Sequence, residues 1–312
     1  MNISTHYMYK QQTQFIMSSA SRFNYVAMRL STNTRVLRPS DDPTAAMDAV
    51  IYRNSLAQLD YYRGTRGYAR AMLTKQGDTL QTVTNTLSAI NGKIIAVQKL
   101  TGNLAPIIQE LEGLRDDLLA SANAQDTRGN YIFAGYKADV KPFQKVQGSE
   151  GIVYQGGSTA IVQQVDEGRE IKIGHIGSNI FNIEGQDTVF KKLDALIGAL
   201  KSDLGNDVGG AWPGEELKAV MNAARSAVRK TEDNVGNVQL VSGLNLQLLD
   251  KLDAAGISQR EGITDRLQQG LGQDTGSQIA LVTELQLSKV AMDSSMMVFQ
   301  MMKDMSLFNM MK

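Results

Sequence analysis

The stretch SQIALVTELQLSKVAMDSSMMVFQMMKDMSLFNMMK, residues 277–312, decides how the rest of the chain is interpreted. Read in alternating steps of four and three residues, it carries one apolar stripe with a second stripe beside it, as in a helix that is apolar over more than one narrow face. The first stripe consists of Leu287, Ala291, Ser294, Val298, Met301, Met305 and Phe308, and the second of Leu281, Leu285, Met292, Phe299 and Met302. Such a helix must bury itself against other helices.

Charged residues between Glu284 and Asp304 interrupt this stretch, so it lacks the roughly 18 or more uncharged residues of a membrane span. We therefore predict a helix that packs partly on the N-terminal segment of its own chain and partly on neighbouring subunits. The alternative is a core helix of its own domain. The many methionines favour the first interpretation, because unbranched thioether side chains suit surfaces that accept several packings.

The N-terminal segment repeats this design and predicts the partner helix. Its heptad seam consists of Ile16, Ala20, Phe23, Ala27 and Leu30. We expect the two ends of the chain to pair as antiparallel helices.

The first helix ends before the turn RLSTNTRVLRPSDDP, where Pro43 fits the first position of a new helix, Asp42 is its cap and Asp41 lies at the positive end of its dipole. An acidic pair could also serve acid–base or metal chemistry, but no second cluster of histidines or carboxylates completes such a site.

Two long seams follow and predict supercoiled helices. The first consists of Leu73, Leu80, Val83, Leu87, Ile90, Ile94 and Val97, and the second of Leu217, Met221, Ala224, Val228, Thr231, Val235, Val238, Leu249 and Leu252. The first seam lapses at Arg63, Arg66 and Arg70, so we expect this turn to face solvent or a neighbouring subunit. After the second seam, the glycine-rich stretch at 256–276 is either a hinge or a marginal continuation of the helix.

Residues 131–187 are rich in glycine and alternate apolar with polar residues, which predicts short β-strands joined by turns. The predicted fold is mainly α with a small β domain, an elongated helical rod with paired antiparallel ends and a β-rich insertion in the middle. We divide it into five parts. These are an N-terminal assembly helix and turn (1–42), the first half of a helical bundle (43–130), a β-rich outer domain (131–187), the second half of the bundle (188–275) and a C-terminal assembly helix (276–312).

Composition excludes several classes of function. Lys plus Arg equals Asp plus Glu at 32 each, so net charge indicates no nucleic-acid partner. With no cysteine and two isolated histidines, the sequence predicts no metal site, and GLGQDTG has neither phosphate-loop spacing, so we expect no cofactor and no enzyme activity. The N-terminus lacks a basic start followed by an apolar core of about 7–15 residues, so we expect no cleaved secretory signal and no membrane insertion.

Four ordered motifs resemble a known family. MNISTHYMY at the start, RLSTNTRVLRPSDDPTAAMDAV at 29–50, NYIFAGYKADVKPF at 130–143 and SLFNMMK at the end are similar to the family of bacterial flagellar hook-associated protein 3, within the flagellin-like superfamily. Together they cover both ends of the chain and the entry to the β region. The resemblance implies a structural role at the hook–filament junction, in the layer that joins the hook-associated ring to the flagellin filament.

The resemblance also implies the partners. It indicates a ring of identical subunits that contacts another hook-associated protein and flagellin, and type III export to the extracellular flagellum after an export chaperone has masked the C-terminal helix. The predicted assembly residues are Ile16, Phe23, Leu30, Asp41, Asp42, Pro43, Leu287, Val298, Phe299, Met301, Met305 and Phe308. Two alternatives remain open, a flagellin that forms the filament itself and a coiled-coil scaffold unrelated to flagella.

Overall fold

A computed structural model describes residues 3–99, 104–145, 151–184, 187–203 and 214–310. Within these ranges the chain is mainly helical, with six short strands between its third and fifth helices. The helices are α1 (Ile3–Ser31), α2 (Pro43–Lys99), α3 (Ala105–Ala122), α4 (Gly177–Phe181), α5 (Val189–Asp203), α6 (Glu215–Leu271) and α7 (Thr275–Met310). The strands are β1 (Phe143–Lys145), β2 (Ile152–Tyr154), β3 (Val162–Asp166), β4 (Arg169–Lys172), β5 (Asn182–Glu184) and β6 (Asp187–Thr188). The predicted fold class, mainly α with a small β region, is confirmed.

The heptad seams of α2 and α6 are buried, as predicted, and most of their residues belong to the main core. All seven seam residues of α2 from Leu73 to Val97 are buried, and so are the seam residues of α6 from Leu217 to Val238. Helices α3 and α5 add Leu111, Leu118 and Leu200 to the same core. Seams of this kind are buried because their seven-residue repeat keeps one side of each helix facing its neighbours.

The β region consists of three antiparallel pairs, β1 with β2, β3 with β4 and β5 with β6. Each of the first two pairs packs on helices. Phe143 of β1 joins the main core, where its ring centroid lies 5.2 Å from that of Phe181. Val165 and Ile171 of the second pair instead form a smaller core with Leu73 and with Leu249 of α6.

The chain divides into two compact units. One contains residues 1–60 and 256–312, and the other contains residues 61–255, so the boundary falls within α2 and within α6. The β region belongs with the helices of the second unit. The five-part division drawn from the sequence is finer and stays a prediction.

Two sequence-based expectations are settled within this fold. The glycine-rich stretch that could have been a hinge continues α6 as helix to Leu271. The turn at Arg63, Arg66 and Arg70 does not face solvent as a whole, and for Arg66 the expectation was wrong. Its side chain is 3% exposed, its guanidinium pairs with Asp253 at 2.5 Å and it donates to the carbonyl oxygen of Val165 at 3.1 Å.

Candidate assembly interface

Helices α1 and α7 pair in antiparallel orientation, as predicted. At one end, Tyr9 Oη donates to the carbonyl oxygen of Met302 (3.2 Å), and its ring meets that of Phe299 edge-on with centroids 6.0 Å apart. Near the middle, Gln12 Nε2 donates to the carbonyl oxygen of Ser295 (2.9 Å). At the other end, Glu284 pairs with Arg29 at 3.3 Å and with Arg22 at 3.6 Å. Positions near the start of α1 therefore meet positions near the end of α7.

The two stripes of α7 have different surroundings. The stripe that faces α1 is the second one, completed by two serines, and it repeats in alternating steps of four and three residues. Its members are buried or half-buried, namely Leu281, Leu285, Ser288, Met292, Ser295, Phe299 and Met302. These residues fill a heptad seam within the subunit.

The first stripe of α7 is largely uncovered. Its large side chains are exposed by 66% at Leu287, 46% at Val298, 56% at Met301 and 63% at Met305. From Leu287 to Met301, each member lies one position before a member of the buried stripe, so the two seams are about 100° apart around the helix. The predicted residue Phe308 lies outside the side chains that the structure describes.

The predicted seam of α1 is half-buried. Ile16, Phe23 and Leu30 are each partly covered, and Val26 between them is fully buried. The predicted seam contained Ala20 and Ala27 and did not include Val26, because small alanines and the neighbouring serine and valine fit the heptad equally well. Outside this seam, α1 exposes five large apolar side chains, Tyr7, Met8, Phe15, Met17 and Met28.

A groove of about 510 Å³ lies along α7 beside Arg22 of α1. Small and medium-sized side chains line it, with the Arg22–Glu284 pair as its charged part. The lining residues are Arg22, Ala280, Thr283, Glu284, Leu287, Ser288 and Ala291. Small residues such as Ala280 and Ala291 leave room for another helix to approach closely.

The turn before α2 is held by its two aspartates. Asp42 caps α2, since the N–H of Ala45 donates to its Oδ1 (3.0 Å), and Pro43 is the first helical residue, as predicted. Asp41 Oδ2 accepts the backbone N–H groups of Leu37 (3.0 Å) and Arg38 (2.8 Å). The hydrogen bond from Arg38 lowers the pKa of Asp41, and that from Ala45 lowers the pKa of Asp42. Both carboxylates are therefore ionised acceptors that shape the turn.

Within the described part of the chain, neither a cluster of potential metal ligands nor a membrane-spanning helix is present. Among the residues that the structure describes, no group of three or more His, Cys, Asp or Glu side chains could hold a metal ion. No helix in those ranges is both long and apolar enough to cross a membrane.

Comparison with known proteins places the chain among flagellar proteins. Residues 3–138 match the bacterial flagellin N-terminal helical region. The chain is 32% identical to flagellar hook-associated protein 3 of Salmonella typhimurium over 324 residues, which cover 99% of both chains. It is 30% identical to flagellar hook-associated protein 3 of Escherichia coli over 327 residues and the full length of both.

A solved structure supports the fold. A putative flagellar hook-associated protein from Vibrio parahaemolyticus superposes with a TM-score of 0.66 at 24% identity, over 74% of this chain and 100% of that one. The sequence identity over the full length assigns the family, and the solved structure agrees with the fold. The chain belongs to the family of flagellar hook-associated protein 3, and it is a component of the bacterial flagellum.

Proposed function

We propose that the chain is a subunit of the junction layer that joins the hook-associated ring to the flagellin filament, and that α1 and α7 make the contacts between subunits. One observation carries this proposal. Helix α7 already fills one seam with α1 and still exposes a second complete seam through Leu287, Val298, Met301 and Met305. A helix with two seams about 100° apart is suited to lie between two other helices.

The free energy available from this second seam is large enough to support assembly. Burying one fully exposed Leu, Val or Met side chain contributes about 1.5–3 kcal/mol. These four side chains are about half exposed to two-thirds exposed, so a neighbouring helix could remove much of that surface from water. The exposed side chains of α1, such as Phe15 and Met17, offer further apolar surface of the same kind.

The groove beside Arg22 supports a helix as the occupant. Its length follows α7 from Ala280 to Ala291, which is about three helical turns. A second copy of this chain could insert the side of its α1 that carries Met17 and Met28, so that each subunit supplies both a groove and a helix. Such a head-to-tail contact closes into a ring when its rotation permits.

The exposed seam of α7 also binds a second partner, an export chaperone. Before export, an export chaperone covers the methionine-rich part of α7 and prevents aggregation; after export, neighbouring subunits and flagellin take its place. Flexible thioether side chains such as Met301 and Met305 can pack against both. The protein is then exported to the extracellular flagellum, and it acts by assembly with no catalysis and no cofactor.

Filament subunit is the alternative function, and the match of residues 3–138 to the flagellin N-terminal helical region favours it. Full-length identity to hook-associated proteins favours the junction instead. The two roles differ in what a deletion strain loses. A strain that exports filament protein without retaining a filament would support the junction role, whereas loss of the filament protein itself would support the alternative.

The test of the shared seam is a variant with Val298→Ser, Met301→Gln and Met305→Gln. We expect weaker binding of the export chaperone in a calorimetric titration and loss of incorporation into flagella, with an unchanged melting temperature of the free subunit. The matched control replaces Gln286 and Gln300, two exposed polar residues of the same helix, with Ser. Unchanged chaperone affinity together with a collapsed melting temperature would reject the shared seam.

A further inference from the structure

The turns that join α1 to α2 and α6 to α7 are both built from local backbone chemistry. Gly272 has a left-handed backbone, with φ of 67°, and its N–H donates to the carbonyl oxygen of Gln269 (3.1 Å) while that of Gln273 donates to Gln268 (2.7 Å). This pattern ends α6 and satisfies two of its last carbonyl groups. Asp274 then caps α7 by accepting the N–H of Ser277 (3.0 Å).

The two turns meet at Arg35, which sequence analysis did not single out. Its backbone N–H donates to the carbonyl oxygen of Leu271 (2.7 Å), the last residue of α6. Its Nη2 donates both to the carbonyl oxygen of Gly270 (3.3 Å) and to Oδ2 of Asp42 (2.9 Å), the cap of α2. A Cβ atom at Gly272 would lie 2.5 Å from the Cβ of Arg35, so only glycine fits there.

We infer that Arg35 and Gly272 form a clasp that holds the two turns together and thereby positions α1 and α7 to pair. The chemistry of arginine suits this role. A guanidinium has several donors in one fixed plane, so it can bind a carboxylate and a carbonyl oxygen at once. Its positive charge also lies at the C-terminal end of α6, where the helix dipole favours a cation.

The clasp matters because much of the seam between the paired helices is polar or flexible. The seam contains serines at positions 19, 288 and 295 and flexible methionines, and its polar contacts are single hydrogen bonds and the two ion pairs of Glu284, one with exposed Arg22 and one with largely buried Arg29. Exposed ion pairs contribute at most about 1 kcal/mol. Joining the two helices at one end raises their effective concentration for each other. Arg35 is therefore a positioning residue for the α1–α7 pair.

A disulfide reporter tests the clasp in the full-length, isolated subunit. The hydroxyl oxygens of Ser19 and Ser295 lie 3.4 Å apart across the pair, and the chain contains no cysteine, so Ser19→Cys with Ser295→Cys gives a single possible disulfide. In this background we expect Arg35→Ala to slow disulfide formation under a mild oxidant about tenfold, through the loss of effective concentration. Gly272→Ala should slow it as well, and Arg35→Lys, which keeps the charge without the planar fork, should give an intermediate rate.

The matched control is Arg38→Ala. Arg38 is an exposed arginine of the same turn, and its hydrogen bond to Asp41 comes from its backbone. Disulfide formation in Arg35→Ala as fast as in the parent and in Arg38→Ala would overturn the clasp. The main thermal transition should be unchanged in every variant, since the two buried cores lie in residues 61–255. If the Arg35→Ala subunit lacks that transition, the rate of disulfide formation is compared between Arg35→Lys and the parent. Equal rates in these two proteins would overturn the clasp. Because the isolated subunit is used, the result is independent of the junction role.

Discussion

The seams of α2 and α7 have the same heptad spacing and opposite surroundings. In α2, the residues from Leu73 to Val97 are completely covered by other parts of the same subunit. In α7, the first stripe keeps Leu287 and Met305 about two-thirds exposed. The seam of α2 from Leu73 to Val97 has its apolar partners within the subunit, and the first stripe of α7 lacks them.

Heptad periodicity in the sequence therefore does not by itself distinguish a core helix from an assembly helix. The distinguishing feature is the number of seams. A helix that carries one seam can be satisfied by its own subunit, whereas α7 carries two adjacent seams and its subunit supplies a partner, α1, for one of them. Side-chain type agrees with this division, since the seam of α2 is built from branched aliphatic residues and the outward seam of α7 is rich in methionine.

Matched leucine truncations should separate the two seams most strongly. Leu80→Ala removes a fully buried side chain of α2 and should lower the free energy of unfolding by about 2–5 kcal/mol. Leu287→Ala removes an exposed side chain of α7 and should change it by less than about 0.5 kcal/mol. Urea unfolding of the free subunits measures both. Equal losses would mean that the subunit itself covers the outward seam.

The contact between the β region and α2 should make the stability of the protein depend on pH. His175 Nδ1 lies 3.0 Å from Oε1 of Gln76, so this hydrogen bond attaches the segment after β4 to α2. Burial, and to a smaller extent the Lys172 ammonium, lower the pKa of His175. The folded state therefore favours the neutral ring. Its contribution to stability is fully present above the ordinary histidine pKa of about 6.5 and declines as pH falls below that value.

We expect thermal stability to decrease between about pH 7 and pH 5, and His175→Asn to flatten that decrease. Melting curves at closely spaced pH values check this. The aspartates with lowered pKa values, Asp41, Asp42 and Asp126, affect stability only at lower pH. Such an aspartate contributes stability above the ordinary aspartate pKa of about 3.9, and this contribution is lost as pH falls. An identical change of melting temperature with pH in the parent and in His175→Asn would show that His175 does not cause the decrease.

The sequence predicts the helices well because their spacing is a local property. The seams of α2 and α6, the cap at Asp42 and the antiparallel pairing of the ends all follow from it. Arg66 could not be placed in this way, since its partner Asp253 is 187 positions away and nothing local marks the pair. Short α4 was also missed, because five residues are too few for a helical period.

The candidate interface was predicted in part for the same reason. The two stripes of α7 are visible in the sequence, but which one faces α1 depends on the directions in which both helices leave their turns. Those directions are set by the contact of Arg35 with Leu271, between segments that are far apart in the chain. Arginine and glycine in polar turns carry no pattern that identifies such a contact.

The smallest expected effect is at the turn before α2. Asp42→Asn keeps the capping oxygen and removes the charge that binds Arg35, so it should slightly lower the protection of the first turn of α2 against amide hydrogen exchange. Asp42→Ala loses both interactions and should lower it further. We also expect reduced incorporation into flagella and reduced motility for Asp42→Ala. Unchanged incorporation would show that the turn has only a local role.

The most direct test of the central claim is chemical labelling of the outward seam of α7 in the free subunit and in isolated flagella. Since the chain has no cysteine, Met301→Cys gives one reactive thiol on this seam, and Glu167→Cys gives a matched thiol on the exposed turn between β3 and β4. The account predicts that a maleimide labels Met301→Cys readily in the free subunit and poorly in flagella, while Glu167→Cys reacts in both. Equal labelling of Met301→Cys in both states would contradict it, because the outward seam would then have no partner in the assembled flagellum.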